Sequence, residues 1–310
     1  MEYRTLGNTG MKLSSLSFGA SSLGGVFHNF SENDGIRAVH AALDHGINFI
    51  DVSPYYGFTR AETVLGKAIR TRRRDSFYLS TKVGRYGENG VKTWDYSAAR
   101  TTKSVEESMR RLQTDYIDLI NVHDIEFSNI REVIDETIPA LLRLREQGKT
   151  GHVGITGLPL NKLHDVTAHF PSGTIESILS FCHYTLQDDS LADELPFYYE
   201  RGTGVINASP LSMGLLSSRG TPEWHPASAR LKTACTEAAE YCRHQNFPIE
   251  QLAIAFSTAH PHIATTLVST TSQENIMQNI RWAESAIPAE LLAEVMQILK
   301  PVRRETWENS

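Results

Sequence analysis

The stretch NFIDVSPYYG, from Asn48 to Gly57, starts as an apolar run and stops in a loop of proline, two tyrosines and glycine. It reads as a strand that delivers Asp51 and then Tyr56 at its end. FYLSTKVG (Phe77 to Gly84) and YIDLINVHD (Tyr116 to Asp124) repeat the form, closing an apolar run with Lys82 and His123. A carboxylate, a phenol, an ammonium and an imidazole at successive strand ends form a set suited to proton transfer.

Outward from these three, the same alternation fills the chain. Short apolar or β-branched runs occur at LSSLSFG, INFIDV, FYLSTKV, YIDLINV, GHVGIT, SILSFC, GVINASPL and ATTLVST. Between them lie segments of helical period. Ile36, Val39, His40 and Leu43 form one stripe stopped by Gly46; Val105, Met109 and Leu112 form another behind a Ser97 cap. Ile134, Ile138, Leu141 and Leu142 form a third that ends at Gly148, with Pro139 expected to kink or restart it. YRTL and MKLS around Gly7-Asn8-Thr9-Gly10 read as an N-terminal β-hairpin. The pattern predicts an α/β fold, a single (β/α)8 TIM barrel over residues 1–310 preceded by that hairpin. The first strand is followed by Gly19-Ala20-Ser21-Ser22-Leu23-Gly24-Gly25, which lacks the GxGxxG spacing of a doubly wound dinucleotide fold. Ser217 to Ala227, with Gly220, Pro222 and Pro226, is expected to be a long loop over the barrel mouth.

The 310 residues carry a net charge of -6, with 40% hydrophobic and 21% charged side chains, as in a globular protein with a sizeable core. Arg72-Arg73-Arg74 is a solvated loop rather than a basic face, so nucleic acid is not an expected partner. No run approaches a membrane span, and MEYRTLGNTG has no signal core, so no membrane partner is expected. Cys182, Cys235 and Cys242 lack metal or CxxC spacing and suit free thiols in a reducing, cytoplasmic setting. No metal is expected, because the histidines outside the strand ends have no ligand spacing. The oligomeric state is not encoded in any motif.

Each strand-end residue has an ordinary structural reading: Asp51 a helix cap, Lys82 a surface ion pair, His123 a satisfied core histidine, Tyr56 a packing aromatic. Their joint placement reverses the balance. Neighbouring strands bring all four to one mouth, where a buried Lys82 needs the Asp51 carboxylate and an ammonium beside Tyr56 is expected to lower the phenol's pKa.

These residues and the elements around them resemble the aldo-keto reductase superfamily, whose Asp, Tyr, Lys and His tetrad falls on Asp51, Tyr56, Lys82 and His123. The likeness runs nearly end to end. It is closest to the L-galactose dehydrogenase and bacterial aldose 1-dehydrogenase group, through GRYG (Gly84 to Gly87), HDIEF (His123 to Phe127), GITGLPL (Gly154 to Leu160), ASPLSMGLL (Ala208 to Leu216) and PEWHPAS (Pro222 to Ser228). The resemblance implies oxidation of an aldose such as L-galactose or L-fucose at C1 to the lactone, with Tyr56 as general acid/base. The alternatives are an NADPH-dependent carbonyl or aldehyde reductase and a cofactor-binding regulatory subunit without turnover.

The resemblance also places a nicotinamide cofactor on Gly19, Ala20, Asp51, Thr156, Ser180, Ser209, Pro210, Leu211, Gly214, Ser269, Thr271, Gln278 and Asn279. A small-molecule sugar falls on Tyr56, His123, Asp124 and Trp224. Departures occur at Gly157, where the family carries Asn, at Leu179-Ser180, where it carries Gln and Ser180 is taken as the substitute, and at Ala208, where it carries an aromatic. Between Ala264 and Asn279 there is no Arg or Lys for a 2′-phosphate, so the expected cofactor is NAD, with NADP as the alternative.

Overall fold

The computed structural model describes residues 1–25, 29–88 and 91–307. Eight parallel strands close into one barrel: β1 (Leu16–Gly19), β2 (Phe49–Asp51), β3 (Tyr78–Val83), β4 (Ile117–Val122), β5 (Thr150–Gly157), β6 (Ser177–Phe181), β7 (Gly204–Ala208) and β8 (Thr265–Val268). All eight fall on the runs named above. The helices outside are α1 (Glu32–Asp44), α2 (Arg60–Ile69), α3 (Ala98–Leu112), α4 (Ile138–Glu146), α5 (Leu160–His169), α6 (Leu191–Glu200), α7 (Ala229–His244), α8 (Ile249–Ala259), α9 (Gln273–Ala283) and α10 (Ala289–Leu299).

The helix signals act as their chemistry requires. Ser97 caps α3 by accepting from Arg100 N. Pro139 restarts its helix: the chain runs through a π turn at Val133–Thr137 before α4 begins, since proline cannot donate the next backbone bond.

The barrel interior changes character along its length. The hairpin strands Tyr3–Thr5 and Lys12–Ser14 close the N-terminal end, where Leu6, Met11 and Leu13 pack with Phe49, Leu119, Leu179, Ile206 and Leu267. Asn48 Oδ1 accepts from Ser14 N (2.8 Å) and Gly202 O from Asn8 N (2.9 Å), fixing the plug to the strand starts. Above this apolar layer the strands turn polar, so the plugged end is structural and the other end holds chemistry. A second hairpin, Arg85–Glu88 with Val91–Trp94, rises after β3. The sequence reading had not separated it from the loop.

The loop after β1 is a short 3-10 turn, Ala20–Gly24, and it meets the loop carrying Tyr56 backbone to backbone. A Cβ on Gly57 would lie 2.1 Å from Gly24 O, and Gly57 has a φ of 60°. Only glycine meets both demands. We expect Gly57→Ala to cost at least ~1 kcal/mol, read as a lowered melting temperature. An unchanged melting temperature would mean that the two loops can part without loss.

Candidate active site

The C-terminal ends of three strands, β2, β3 and β4, supply the centre. Lys82, 1% exposed, donates to Asp51 Oδ2, to Val52 O (2.9 Å) and to Tyr56 Oη (3.4 Å). Asp51 Oδ1 also accepts from Ser80 Oγ (2.8 Å), which in turn accepts from Asn121 Nδ2 (3.0 Å). Register explains the set: Asp51 pairs with Ser80 and Lys82 with Asn121, so alternate residues of adjacent strands face one another inside the barrel. A Cβ on Gly154 would lie 2.3 Å from Asn121 Oδ1, so β5 yields this space.

Burial raises Asp51 against the pull of Lys82, while burial pulls Lys82 down and Asp51 and Tyr56 outweigh it, leaving Lys82 raised. The two shifts point to opposite charge states for the pair, and the hydrogen bonds decide. Asp51 only accepts, from an ammonium and a hydroxyl, which is the role of a carboxylate. We therefore take the pair as ionised.

The phenol corrects an expectation. Burial raises the Tyr56 pKa above its ordinary value, and Lys82, the largest opposing influence, limits the rise without reversing it. Tyr56 thus rests as a neutral hydroxyl.

His123 is buried, and its pKa lies well below that of a free imidazole, first because of burial and then because of the Lys82 and Arg85 cations. Its Nδ1 lies 3.0 Å from Ser53 Oγ, which accepts from Tyr55 N at 3.1 Å. Since Tyr55 N already donates to the hydroxyl, we assign the Ser53 hydrogen to Nδ1 and hence the ring hydrogen to Nε2. The ring meets Tyr56 edge to face at 5.6 Å. Ser53, Ser80 and Asn121 were missed in the sequence reading. The two-residue offsets Asp51/Ser53, Ser80/Lys82 and Asn121/His123 are the signal that could have found them.

Beside His123, Asp124 accepts from Arg85 Nη1, its Oδ1 accepts from Thr156 Oγ1 (2.9 Å) and its N donates to the same oxygen (2.8 Å). Thr156 therefore faces inward with its hydroxyl on Asp124. Ser180 does not stand where the resemblance put it. Leu179 packs into the barrel core, so Ser180, one residue on, faces the helix layer with its hydroxyl buried and unpartnered. That placement corrects the expectation that Ser180 replaces the family's glutamine.

The loop Ser209-Pro210-Leu211 to Gly214 holds positive φ at Ser209, Ser212, Met213 and Gly214. Gly19 ends β1, and buried Ala20 starts the turn after it. Ser269 follows β8; its Oγ donates to Ser22 Oγ (2.8 Å) and accepts from Ser22 N (2.9 Å), tying the first and last loops together. Gln278 and Asn279 lie on α9, where Gln278 Oε1 accepts from Arg281 (2.6 Å). Trp224 is 56% exposed and stacks on His225. Among the described residues no three His, Cys, Asp or Glu side chains gather as metal ligands; His28 lies outside them. Cys182, Cys235 and Cys242 are buried and unpaired, and no described helix is long and apolar enough to cross a membrane.

A cleft of about 440 Å³ separates α1 from the start of α9, lined by Asn29, Phe30, Asp34, Arg37, Thr271 and Ser272 with the first residues of the helix. Arg37 pairs with Asp34. It is a cation lining the same cleft as Thr271, although α1 is distant from the β8 segment in sequence.

Residues 15–300 match the aldo/keto reductase family. The chain belongs to the aldo/keto reductase family. It is 44% identical to L-galactose dehydrogenase of Arabidopsis thaliana, covering 99% of this chain and 97% of that one. D-threo-aldose 1-dehydrogenase of a Pseudomonas species is 28% identical, covering 93% and 94%. Among solved structures, the holo form of the aldo-keto reductase AKR11C1 from Bacillus halodurans superposes with a TM-score of 0.82 at 29% identity, covering 100% and 99%. Among members of this family, the present chain is thus an oxidoreductase whose four strand-end groups stand in direct contact.

The Ser53 arrangement predicts that His123 stays neutral with hydrogen on Nε2. In nitrogen-15 spectra assigned with a His123 variant, the ring should not charge as pH falls through ~6.5, the ordinary imidazole value. Ser53→Ala should add a population with hydrogen on Nδ1. Charging near the ordinary value would contradict the placement.

Proposed function

We propose that the protein oxidises an aldose at C1 to the lactone, with a nicotinamide cofactor as hydride acceptor. The observation that carries this reading is the hydrogen-bonded line Asp51–Lys82–Tyr56 with the His123 ring packed edge to face on the phenol. L-galactose dehydrogenase and D-threo-aldose 1-dehydrogenase among the relatives support the sugar class.

Residues suited to the cofactor are present. The cleft between α1 and α9 ends at a helix N-terminus, a favourable place for a phosphate, and Gly19, Ala20 and the Ser209–Gly214 loop lie at the C-terminal ends of the strands that lead to it. A bound nicotinamide would supply the hydride acceptor for C1. The chain does the rest. In the oxidative direction the phenolate form of Tyr56, stabilised by Lys82, takes the proton of the anomeric hydroxyl and becomes the neutral phenol, while Asp51 holds Lys82 in place. His123 Nε2 donates to the sugar oxygen and orients it. Because burial holds the phenol above its ordinary pKa, the base form grows with pH, so oxidation should climb on the alkaline side.

The same resting hydroxyl is a ready acid for the reverse chemistry, reduction of a carbonyl. That neutral Tyr56 is the specific observation favouring the reductase reading. The two readings separate in one assay. A panel of aldoses with NAD or NADP, followed by absorbance of the reduced cofactor and identification of the lactone, should give turnover that rises with pH. NAD should exceed NADP in kcat/KM, and Thr271→Arg should narrow the gap through a charge-assisted phosphate contact. Turnover confined to carbonyl reduction with NADPH would overturn the proposal. An NADP preference abolished by Arg37→Ala would assign the phosphate to α1 instead of the β8 loop.

A further inference from the structure

The tetrad does not use Arg85, yet Arg85 is 7% exposed and sits against it. Its guanidinium carbon lies 4.1 Å from the Tyr55 ring centroid and 4.3 Å from that of Phe127. It donates to Asp124, and Arg85 Nε is buried without an acceptor. Burying an ion pair costs desolvation, and this one is incompletely satisfied, so stability alone gives it little reason to exist.

Asp124 is strained as well. Its φ and ψ are 45° and 71°, left-handed values that a non-glycine residue keeps only when its surroundings impose them. Thr156 holds the Asp124 amide and one carboxylate oxygen, Arg85 holds the other, and Tyr96 Oη donates to the carbonyls of His123 (2.8 Å) and Asp124 (3.1 Å). The result fixes Asp124 Oδ2 at 3.7 Å from His123 Nε2. That gap is too long for a direct hydrogen bond and short enough for ligand oxygens to engage both groups. Phe127 carries Trp94 on its other side, centroids 5.9 Å apart, and Trp94 is 42% exposed at the rim.

We propose that Asp124, held by Thr156 and Arg85, is the subsite that reads the sugar hydroxyl next to the reacting carbon, the C2 hydroxyl of an aldose. This rests on the aldose reading above. With the C1 oxygen between Tyr56 Oη and His123 Nε2, a vicinal hydroxyl lies about one hydrogen-bond length away, on the side of Asp124. It donates to Oδ2, which the Arg85 contact holds in place. Trp94 and Phe127 offer an aromatic wall for the C–H face of the ring. A sugar without this hydroxyl leaves Oδ2 with Arg85 as its only donor among the described residues and gains no contact there, so the subsite favours sugars that carry it.

The test compares an aldose the enzyme accepts with its 2-deoxy counterpart. The wild type should favour the hydroxylated sugar by ~10- to 100-fold in kcat/KM, mostly through KM. Asp124→Asn and Arg85→Met should bring that ratio close to one, whereas Arg85→Lys, which keeps a cation beside Asp124, should preserve most of it. Melting curves of each variant separate misfolding from lost recognition, and the ratio between two sugars on one protein cancels the fraction folded. A brace for the Arg85–Trp94 hairpin would depress both sugars alike and leave the ratio intact, which would overturn the subsite. If no aldose is turned over, the function proposed above fails on its own. The subsite is then judged by sugar binding with cofactor present: a melting shift from the hydroxylated sugar alone, lost in Asp124→Asn, supports it, and equal or absent shifts overturn it.

Discussion

A lysine with 1% of its surface exposed is the constraint on which the rest of this molecule depends. An ammonium in a dry interior is tolerable only with a carboxylate and further acceptors in contact, and Lys82 has Asp51, Val52 O and Tyr56 Oη. Those partners come from β2 and the loop after it, so the two strands must hold a register that leaves no freedom at the mouth. Ser80 and Asn121 extend the demand to the next strand, and Gly154 to the one after. The apolar plug at the other end of the barrel is the counterpart: Leu6, Met11 and Leu13 fill the space that the polar mouth cannot use.

Electrostatics at the mouth then divide labour among groups that would otherwise titrate together. Lys82 and Arg85 are cations flanking His123, which is one cause of its neutrality after burial. A neutral imidazole with its hydrogen on Nε2 donates to a substrate oxygen without competing for the proton that Tyr56 handles. Burial keeps the phenol protonated at rest, and Lys82 limits how far its pKa climbs. One ammonium therefore holds the fold through Asp51 and, in the proposed reaction, tunes the phenol of Tyr56.

Much of this was legible in the sequence, for a physical reason. A buried polar residue that ends an apolar run stands out against its neighbours, and Asp51, Lys82 and His123 all do. The eight strands were visible because parallel strands covered on both faces are continuous apolar runs. What stayed hidden depends on contacts between distant segments. Ser180 was misplaced because the alternation of its strand was not carried through Leu179. Arg85 had no role assigned from GRYG, because only the second hairpin brings it between Tyr55 and Phe127. Arg37 shares a cleft with Thr271 only because α1 lies against α9. The sign of the Tyr56 shift could not be read at all, since it is set by how completely the ring is buried.

The central claim is that Lys82 tunes Tyr56 for proton transfer, and Lys82→Met tests it most directly through the pH profile of kcat/KM for aldose oxidation. With the ammonium gone, burial acts on the phenol unopposed. The rate should fall by ~10²–10⁴-fold and the alkaline limb should move to higher pH, with the folded protein still binding cofactor. An unaltered pH profile in a folded, cofactor-binding variant would contradict it.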